Sequence, residues 1–412
     1  MSSTLLLAHR PLSHHHERPR RGLWLVPCIL LITVLQNVFG LYSLFTGSGL
    51  VLYSYDGPLF VKVLKDALYA TLVVLVFWDA GRRGTIPFTT ASMCLLLLAS
   101  TLALISAIHL DIMTALAGMR WLLPLMVFMM LRVWSKDIDF DAGVPWLITG
   151  LVLCLALQVV QLFFMHPIFG ELMPGIAART PGFFVAPNST SFFAAASVAC
   201  CMVLQPQRRK LHLMLLAAAF FIAALAQSGT GIVGVAVLLM RFLLARHRIL
   251  FWVIGALTVT VIFPNLNLLL MREDYLALSG GGRLDAAWTI ITDASLSFSN
   301  FGLYTNTANL LSPDPESQLA PDSMIASWIG NFGVFSFVAA LLVTTFVVIN
   351  MRDIDWSRAM PCALVLILFS MTTVTFEAFP MNLLLTLGIW GCRRTVHNQI
   401  THSTRTNPLC DR

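Results

Sequence analysis

Long apolar runs, separated by short polar stretches, make up most of this chain. A helix needs about 20 apolar residues to cross the hydrocarbon core of a bilayer. Runs of about that length recur along the sequence and predict twelve membrane-spanning helices, at residues 23–45, 58–78, 87–109, 112–132, 143–165, 189–204, 211–227, 229–245, 249–270, 323–350, 359–376 and 379–392. The first run is too long for the apolar core of a signal peptide and no small-residue cleavage site follows it, so we expect it to remain as a span.

One long polar interval, Met271–Asp322, interrupts this pattern. A loop of about 50 residues is usually either functional or disordered. Inside it, the segment Arg283–Thr292 places four apolar residues on one helical face: Leu284, Ala287, Trp288 and Ile291. An amphipathic helix that carries a tryptophan is typical of segments lying flat on a bilayer surface. The pattern therefore predicts an interfacial helix in a loop that builds an active site over the outer mouth of a helix bundle.

Composition agrees with a membrane protein. Hydrophobic residues make up 58% of the chain and charged residues 11%, whereas soluble domains average about 25% charged residues. We therefore expect an all-α polytopic membrane protein, whose net charge of +6 reports topology and not a nucleic-acid partner. Six of the eight cysteines lie inside apolar runs and the other two near the C-terminal end, so neither a disulfide framework nor a metal motif is indicated.

The distribution of Lys and Arg predicts the orientation. Twenty of these 26 residues fall on one side of the predicted spans, and the positive-inside rule assigns that side, with both termini, to the cytoplasm. The chain then divides into a cytoplasmic basic tail (1–22), nine spans (23–270), an outer loop (271–322), three spans (323–392) and a second tail (393–412). Six cations remain unexplained by topology: Lys62, Lys65, Arg120, Arg179, Arg272 and Arg283.

Arg120 is the most deeply placed of these cations, about 12 Å along the helix from the outer end of its predicted span. A charge at that depth normally faces a polar cavity or a partner, so a role in the substrate path and a structural ion pair both remain open. Asp111 lies too near the surface to be a firm partner. We expect Lys62 and Lys65 to snorkel to the interface, with Lys62 and Asp66 forming an i,i+4 pair.

The stretch Arg179–Phe193 (RTPGFFVAPNSTSFF) leads into the sixth predicted span. Pro187 cannot continue a preceding helix, and the next helix can be capped by Asn188, Ser189 or Thr190. An exposed helix N-terminus beside Arg179 suits a phosphate or pyrophosphate. The alternative is an ordinary cap next to an arginine that binds lipid headgroups.

The pattern R-x-P-G-x-F-x-x-P-N in this stretch resembles the O-antigen polymerase and O-antigen ligase family of bacterial membrane glycosyltransferases. Further similar segments are Ala115–Trp121 (ALAGMRW), Gln227–Gly234 (QSGTGIVG), Gly282–Trp288 (GRLDAAW), Asp322-Ser323 and Gly330–Gly333 (GNFG). The arginine that the family often carries in its Ser/Gly/Thr turn is absent from Gln227–Gly234.

The resemblance implies about a dozen transmembrane helices with a large periplasmic loop, similar to the glycosyltransferase C superfamily, in the bacterial inner membrane. It implies an oligosaccharide linked to undecaprenyl pyrophosphate as substrate and no metal or other cofactor. A chain-length regulator and a flippase of the same biosynthetic route are the implied protein partners, beside the lipid bilayer itself.

The resemblance also assigns candidate site residues. Arg179 and Arg283 would bind the pyrophosphate, since a planar guanidinium bonds phosphate oxygens bidentately and stays charged. The same donors would stabilise charge that develops on the leaving group. Three further residues are candidates for substrate binding: Arg120, Asn188 and Arg272.

The acceptor hydroxyl requires a general base. Where the ligase branch commonly has a His–Asn pair, this chain has Asp322-Ser323. Asp322 is therefore the candidate base, and its alternative role is to cap the tenth span. Glu377, in the short outer turn before Phe379-Pro380, is a candidate second carboxylate for the substrate site.

These observations favour a polysaccharide polymerase that transfers a growing glycan from undecaprenyl pyrophosphate to a lipid-linked repeat unit at the periplasmic face. A ligase that moves the glycan to another acceptor is the nearest alternative, and Asp322-Ser323 weighs against it. A transporter or flippase for the same lipid-linked sugar would instead place charges along a path through the bilayer. A non-catalytic assembly subunit would not need the arginines.

Overall fold

The structure is a computed structural model of the 412-residue chain, and it describes residues 24–46, 59–135, 140–164, 179–245, 248–257, 260–261, 282–311 and 321–393. Within these ranges the ordered elements are helices, and extended backbone pairs only in an isolated bridge between Ile354 and Arg393. The prediction of an all-helical protein is confirmed for this part of the chain. Residues 1–22 and 394–412, which hold the predicted cytoplasmic tails, lie outside it.

The helices of the described chain are numbered here in sequence order. They are α1 (Leu25–Thr46), α2 (Leu59–Arg82), α3 (Thr90–His109), α4 (Ile112–Met130), α5 (Val144–Phe164), α6 (Pro187–Leu204), α7 (Arg209–Leu225), α8 (Gly229–Leu244), α9 (Arg248–Leu257), α10 (Gly282–Ala294), α11 (Asn306–Leu311), α12 (Met324–Phe332), α13 (Ser336–Asn350), α14 (Trp356–Ser370) and α15 (Met381–Trp390). Short 3₁₀ turns extend α4, precede α5 and join α12 to α13.

Helices occupy at least part of every predicted span. Six helical segments of the described chain are long and apolar enough to cross a membrane: Leu25–Tyr42, Thr90–His109, Ile112–Val133, Asp141–Phe164, Pro187–Leu204 and Met324–Asn350. Three shorter apolar helices are α8, α14 and α15. The structure is thus that of a helical membrane protein, while the number of twelve spans stays a prediction.

The tenth predicted span, residues 323–350, is not one continuous helix. Gly333 adopts a φ of +50° between α12 and α13, and the Val334 N–H donates to the Ser297 carbonyl at 3.1 Å. A Cβ at Gly333 would lie 1.7 Å from the same carbonyl oxygen. Only glycine tolerates both the left-handed backbone and this close approach, so the break depends on that residue.

α6 lies at the centre of the bundle. Every side chain from Thr190 to Leu204 is buried, and the helix packs against α5, α7, α8, α14 and α15. Its middle is rich in Ala, Ser and Cys, and small residues let neighbouring helices approach closely in a membrane. Phe192 stacks on Phe369 of α14 with ring centroids 4.1 Å apart.

The end of the bundle that the charge distribution assigns to the cytoplasm is held by arginines. Arg358 donates to the Val203 carbonyl at 2.7 Å, and Arg393 pairs with Asp353 at 3.3 Å. Val203 lies in the last turn of α6, where free carbonyl groups favour cations. The described residues at the opposite end, where α2, α4, α6 and α8 begin, hold fewer cations.

Part of the predicted outer loop is built into the bundle at that opposite end. Residues 299–305 fold between α4 and α12, with Phe301 fully buried and close to Gly118. Asn331 of α12 donates to the Tyr304 carbonyl at 2.9 Å. This buried segment leads directly into α11, and it brings that short helix to the outer part of α4.

The helix α10 forms within the predicted interfacial segment. Ile290 and Ala294 are fully buried, and α10 packs on α12. Leu284 and Trp288, on the predicted apolar face, are 72% and 66% exposed. The helix therefore presents an uncovered apolar face of the kind that lies on a bilayer surface.

Gly302 makes the buried loop segment testable. Its φ is +96°, and a Cβ there would lie 1.8 Å from the Thr114 carbonyl oxygen. We expect Gly302→Ala to lower the free energy of unfolding by about 2–4 kcal/mol, because it adds both a clash and backbone strain. The measurement is thermal unfolding in detergent, with Gly81→Ala as control, since a Cβ at Gly81 meets nothing within 4 Å. Equal melting temperatures for both variants would contradict this account of the loop.

Candidate functional site

Arg120 is held by a partner that the sequence did not single out. Its Nε lies 2.9 Å from Oδ2 of Asp66 on α2, and the two side chains are 31% and 29% exposed. Pro124, one turn further along α4, cannot donate to the Arg120 carbonyl, so the helix is weakened at this point. Of the two interpretations left open for Arg120, an ion pair is present. Because the pair is partly exposed, the Arg120 guanidinium is also accessible to a substrate.

Asp111 is not the partner of Arg120. It is the N-cap of α4, and its carboxylate accepts hydrogen bonds from the Thr114 backbone N–H at 2.8 Å and from the Thr114 hydroxyl at 2.5 Å. The Thr114 hydroxyl, followed by its backbone N–H, holds the pKa of the Asp111 carboxyl below its usual range. The acid nearest to Arg120 in sequence therefore serves as a helix cap. Arg120 pairs instead with an acid of another helix.

The predicted outer loop reaches the same arginine through Thr307 of α11. The Arg120 Nη1 donates to the Thr307 hydroxyl at 2.9 Å, and that hydroxyl donates to Glu377 Oε1 at 2.9 Å. Glu377 also accepts hydrogen bonds from the backbone N–H groups of Asn306 at 2.8 Å and Thr307 at 3.2 Å. Asp66, Arg120, Thr307 and Glu377 thus form one chain of polar contacts, which we call the outer network.

Glu377 was expected to be a second carboxylate for the substrate site. In the structure both of its oxygens accept hydrogen bonds from the first turn of α11. A carboxylate at the start of a helix satisfies N–H groups that have no partner within that helix. Glu377 therefore fixes the loop to the bundle and positions the hydroxyl that contacts Arg120.

The turn that carries Glu377 is itself fixed to α2. The Tyr69 hydroxyl donates to Asn382 Oδ1 at 2.8 Å, and Asn382 Nδ2 donates to the Phe376 carbonyl at 2.7 Å. Trp121 packs on Phe376 with ring centroids 5.2 Å apart. Residues of α2, α4 and α15 therefore fix the turn that carries Glu377. Glu377 in its place binds the first turn of α11.

A second group of polar residues surrounds Arg179. Its Nε donates to the Ala226 carbonyl at 3.0 Å, and its Nη2 donates to Asn188 Oδ1 at 3.2 Å. Arg179 is partly buried, and these two hydrogen bonds are not its only interactions. The predicted association of Arg179 with the start of the sixth span is present, and Asn188 contacts the arginine directly.

The predicted cap of that helix is wrong in detail. α6 begins at Pro187, with Ala186 at the N-cap position and no side chain that caps it. Asn188 therefore lies inside the first turn, and Thr190 donates its hydroxyl hydrogen bond to the Pro181 carbonyl. Proline is favoured at the first helical position because its missing N–H would have no helical partner there. The side chain of Asn188 is thereby left to bind Arg179.

The start of α8 meets the start of α6. Ser228 is the N-cap of α8, and its hydroxyl accepts from the Gly231 N–H at 3.2 Å and from the Ser191 hydroxyl at 2.8 Å. A Cβ at Gly231 would lie 2.3 Å from the Ser191 Cβ. The segment Gln227–Gly234 thus packs closely where α6 and α8 begin. Gly231 is needed there because a larger side chain would overlap Ser191.

Asp322 is exposed and lies two residues before the start of α12. Its alternative role as the helix cap is wrong, because Ser323 is the N-cap and accepts from the Ile325 N–H at 3.2 Å. Ser323 also donates to the Ser370 carbonyl at the end of α14 at 3.4 Å. Since Phe369 stacks on Phe192 of α6, Asp322 stands at the end of the bundle where Arg179 also lies.

Two other candidates are less defined. Arg283 lies in the first turn of α10, but its side chain is outside the described part of the structure, and Arg272 is outside it altogether. Among the described residues no group of three or more His, Cys, Asp or Glu side chains could hold a metal ion. The described site is therefore a set of arginines, carboxylates and hydroxyls.

Sequence analysis missed two members of the outer network. Asp66 carried a signal, because it is an acid inside a predicted span, but the nearby Lys62 suggested a local pair. Thr307 carried none, since a threonine in a polar loop is ordinary. Each contacts Arg120 only because α2 and α11 pack beside α4.

Comparison with known protein families, with characterised proteins and with solved structures finds no match to this chain.

The outer network predicts a specific loss of stability. We expect Thr307→Val to lower the free energy of unfolding by about 1–2 kcal/mol, because it leaves Arg120 and Glu377 each without one hydrogen-bond partner. Thr307→Ser should restore most of it. Unfolding in detergent, read together with tryptic cleavage of the loop, is the measurement. Thr101→Val is the matched control, since that exposed hydroxyl bonds only its own helix. A Thr307→Val protein as stable as the control would show that the network does not hold the loop.

Proposed function

We propose that this chain is an inner-membrane polysaccharide polymerase. About twelve spans, with both termini in the cytoplasm, would place residues 271–322 and the outer network on the periplasmic side. The glycan would be transferred from undecaprenyl pyrophosphate to a lipid-linked repeat unit, in an exopolysaccharide or O-antigen type of synthesis. The proposal rests on the arrangement of charged residues, on the long outer loop and on the resemblance of several motifs.

One observation supports this proposal most. Arg120 and Arg179 lie at the same end of the bundle, and each is oriented by described contacts from a neighbouring helix or loop. A guanidinium fixed in this way binds phosphate oxygens without first losing side-chain freedom. Such an end suits a substrate whose reacting group is attached to a pyrophosphate.

The reaction follows from these groups. The acceptor sugar hydroxyl attacks the anomeric carbon of the donor glycan, a new glycosidic bond forms, and the bond from that carbon to the pyrophosphate oxygen breaks. The hydroxyl proton passes to the exposed carboxylate of Asp322, and the electron pair of the broken bond leaves with the lipid pyrophosphate. Arg179, Arg283 and Arg272 would stabilise the charge that develops on this leaving group.

The remaining candidates have supporting roles in this scheme. Asn188 holds the Arg179 guanidinium at 3.2 Å, and Glu377 orders α11 against the bundle. The exposed apolar face of α10, formed by Leu284 and Trp288, would rest on the outer surface of the bilayer. That contact would keep Arg283, in the same helix, at the level of the lipid headgroups.

The test is turnover of purified lipid-linked repeat units by the protein in liposomes, with products sized on gels. We expect the wild type to make long chains, and both Arg283→Ala and Asp322→Asn to lose at least about 100-fold in rate, the scale reported for a lost oxyanion donor or general base. Arg209→Ala is the control, because that exposed arginine starts α7 at the opposite end.

Each alternative gives a different result in the same assay. Label that moves only to a different acceptor, without long chains, would identify a ligase. Label that crosses the liposome membrane unchanged would identify a transporter or flippase. A wild-type protein that does neither would overturn the proposal in favour of an assembly subunit.

A further inference from the structure

Lys65 is a cation that has no role in the proposed reaction. It lies on α2 directly before Asp66, is partly buried, and stands within electrostatic reach of Arg120, Asp66 and Glu377. Within the described residues no hydrogen bond or ion pair holds its ammonium group. The snorkelling of Lys65 to the interface stays a prediction.

The nearby carboxylates are already engaged. Asp66 pairs with the Arg120 Nε at 2.9 Å, and Glu377 accepts three hydrogen bonds from the first turn of α11. A partly desolvated ammonium without a direct partner is unfavourable. Asp66 and Glu377 balance the formal charges of Lys65 and Arg120, but among the described residues the Lys65 ammonium still has no acceptor of its own. An anionic oxygen that reached both cations would supply that acceptor.

Lys65 and Arg120 lie on helices that both begin at the predicted outer end of the bundle. Side chains of an α-helix lean toward its N-terminus, and both α2 and α4 begin at that end. The contact of Arg120 with Thr307 agrees with this direction, because Thr307 belongs to the outer loop. An anion that approaches from the outer side would therefore meet these two groups first.

The site also borders the lipid-facing surface. On α4, one turn before Arg120, Leu116 is 56% exposed, and on α2, three residues before Asp66, Val63 is 46% exposed. Arg120 and Asp66 themselves keep about a third of their side-chain surface open. Exposed apolar residues on membrane helices face lipid, so the charged groups are reachable sideways, between α2 and α4, from the outer leaflet.

We propose that Lys65 and Arg120 together bind the phosphate group of a membrane lipid that enters between α2 and α4 from the outer leaflet. The apolar rim formed by Val63 and Leu116 favours an anion attached to a hydrocarbon chain over a free anion in water. Asp66 keeps the Arg120 guanidinium in place for this contact. That the lipid is the carrier of a glycan rests on the proposed function, whereas the binding site itself does not.

The binding test uses the full-length protein in nanodiscs of phosphatidylcholine and a radiolabelled long-chain polyprenyl phosphate as probe. We expect Lys65→Gln to weaken binding about tenfold, Lys65→Arg to retain it, and Lys210→Gln, at the opposite end, to leave it unchanged. Inorganic phosphate should compete at least about 100-fold less well than the lipid. Equal binding by wild type and Lys65→Gln, or equal competition by inorganic phosphate, would overturn the proposal.

The route of entry has its own measurement. A photoreactive benzophenone side chain replacing Leu116 should cross-link the labelled lipid, while the same group replacing Leu162, an exposed residue of α5, should not. Cross-linking at Leu116 should disappear when Lys65→Gln is added. Equal cross-linking at both positions would overturn the lateral route. This comparison is made in proteins that keep Lys65, so it remains decisive even when Lys65→Gln fails to fold.

The outcomes separate this site from the enzyme. Lysine-dependent binding of polyprenyl phosphate without any chain synthesis would support the lipid site and refute the polymerase. Chain synthesis that is indifferent to Lys65→Gln would support the polymerase and refute the lipid site. Binding of phosphatidylglycerol as tightly as the polyprenyl phosphate would support the phosphate site with an ordinary phospholipid as its source.

Discussion

The positive charge of Arg120 within a membrane helix is the constraint on which the outer half of the bundle depends. A guanidinium at such a position is costly unless other groups compensate it. Here the compensation comes from three directions, with Asp66 on α2, Thr307 in the outer loop and, through Thr307, Glu377 in the turn before α15. Elements far apart in the chain are thus held at one place by one charge.

This constraint explains why the predicted outer loop is partly structured. Residues 299–305 lie between α4 and α12 with Phe301, Gly302 and Thr305 buried, and this packing requires glycine where the chains approach most closely, at Gly118 and Gly302. Once the segment is in place, α11 starts beside Glu377 and its free N–H groups are satisfied. The same contacts that stabilise the loop therefore hold the Arg120 guanidinium beside the start of α11.

The second arginine depends on a different part of the fold. Arg179 bonds the end of α7 and the first turn of α6, and α6 is tied to α8 by Ser191 and Ser228. Stacking of Phe192 on Phe369 connects this group to α14, which ends next to Ser323 and Asp322. Through the central helix, the two arginine groups and the candidate base become parts of one packed end.

The local pattern of apolar and charged residues determined the helical class of the protein, the approximate positions of the helices and the charge difference between the two ends. These features depend on composition over about 20 residues. The sequence also pointed to Arg120, Arg179 and Asn188 as a group worth testing. Only the tertiary structure decided their partners. Thr307 is 187 residues from Arg120 and 70 from Glu377, and no local pattern encodes contacts at such separations. The acid nearest to Arg120 in sequence, Asp111, caps its own helix, and the ion pair forms with Asp66 of α2.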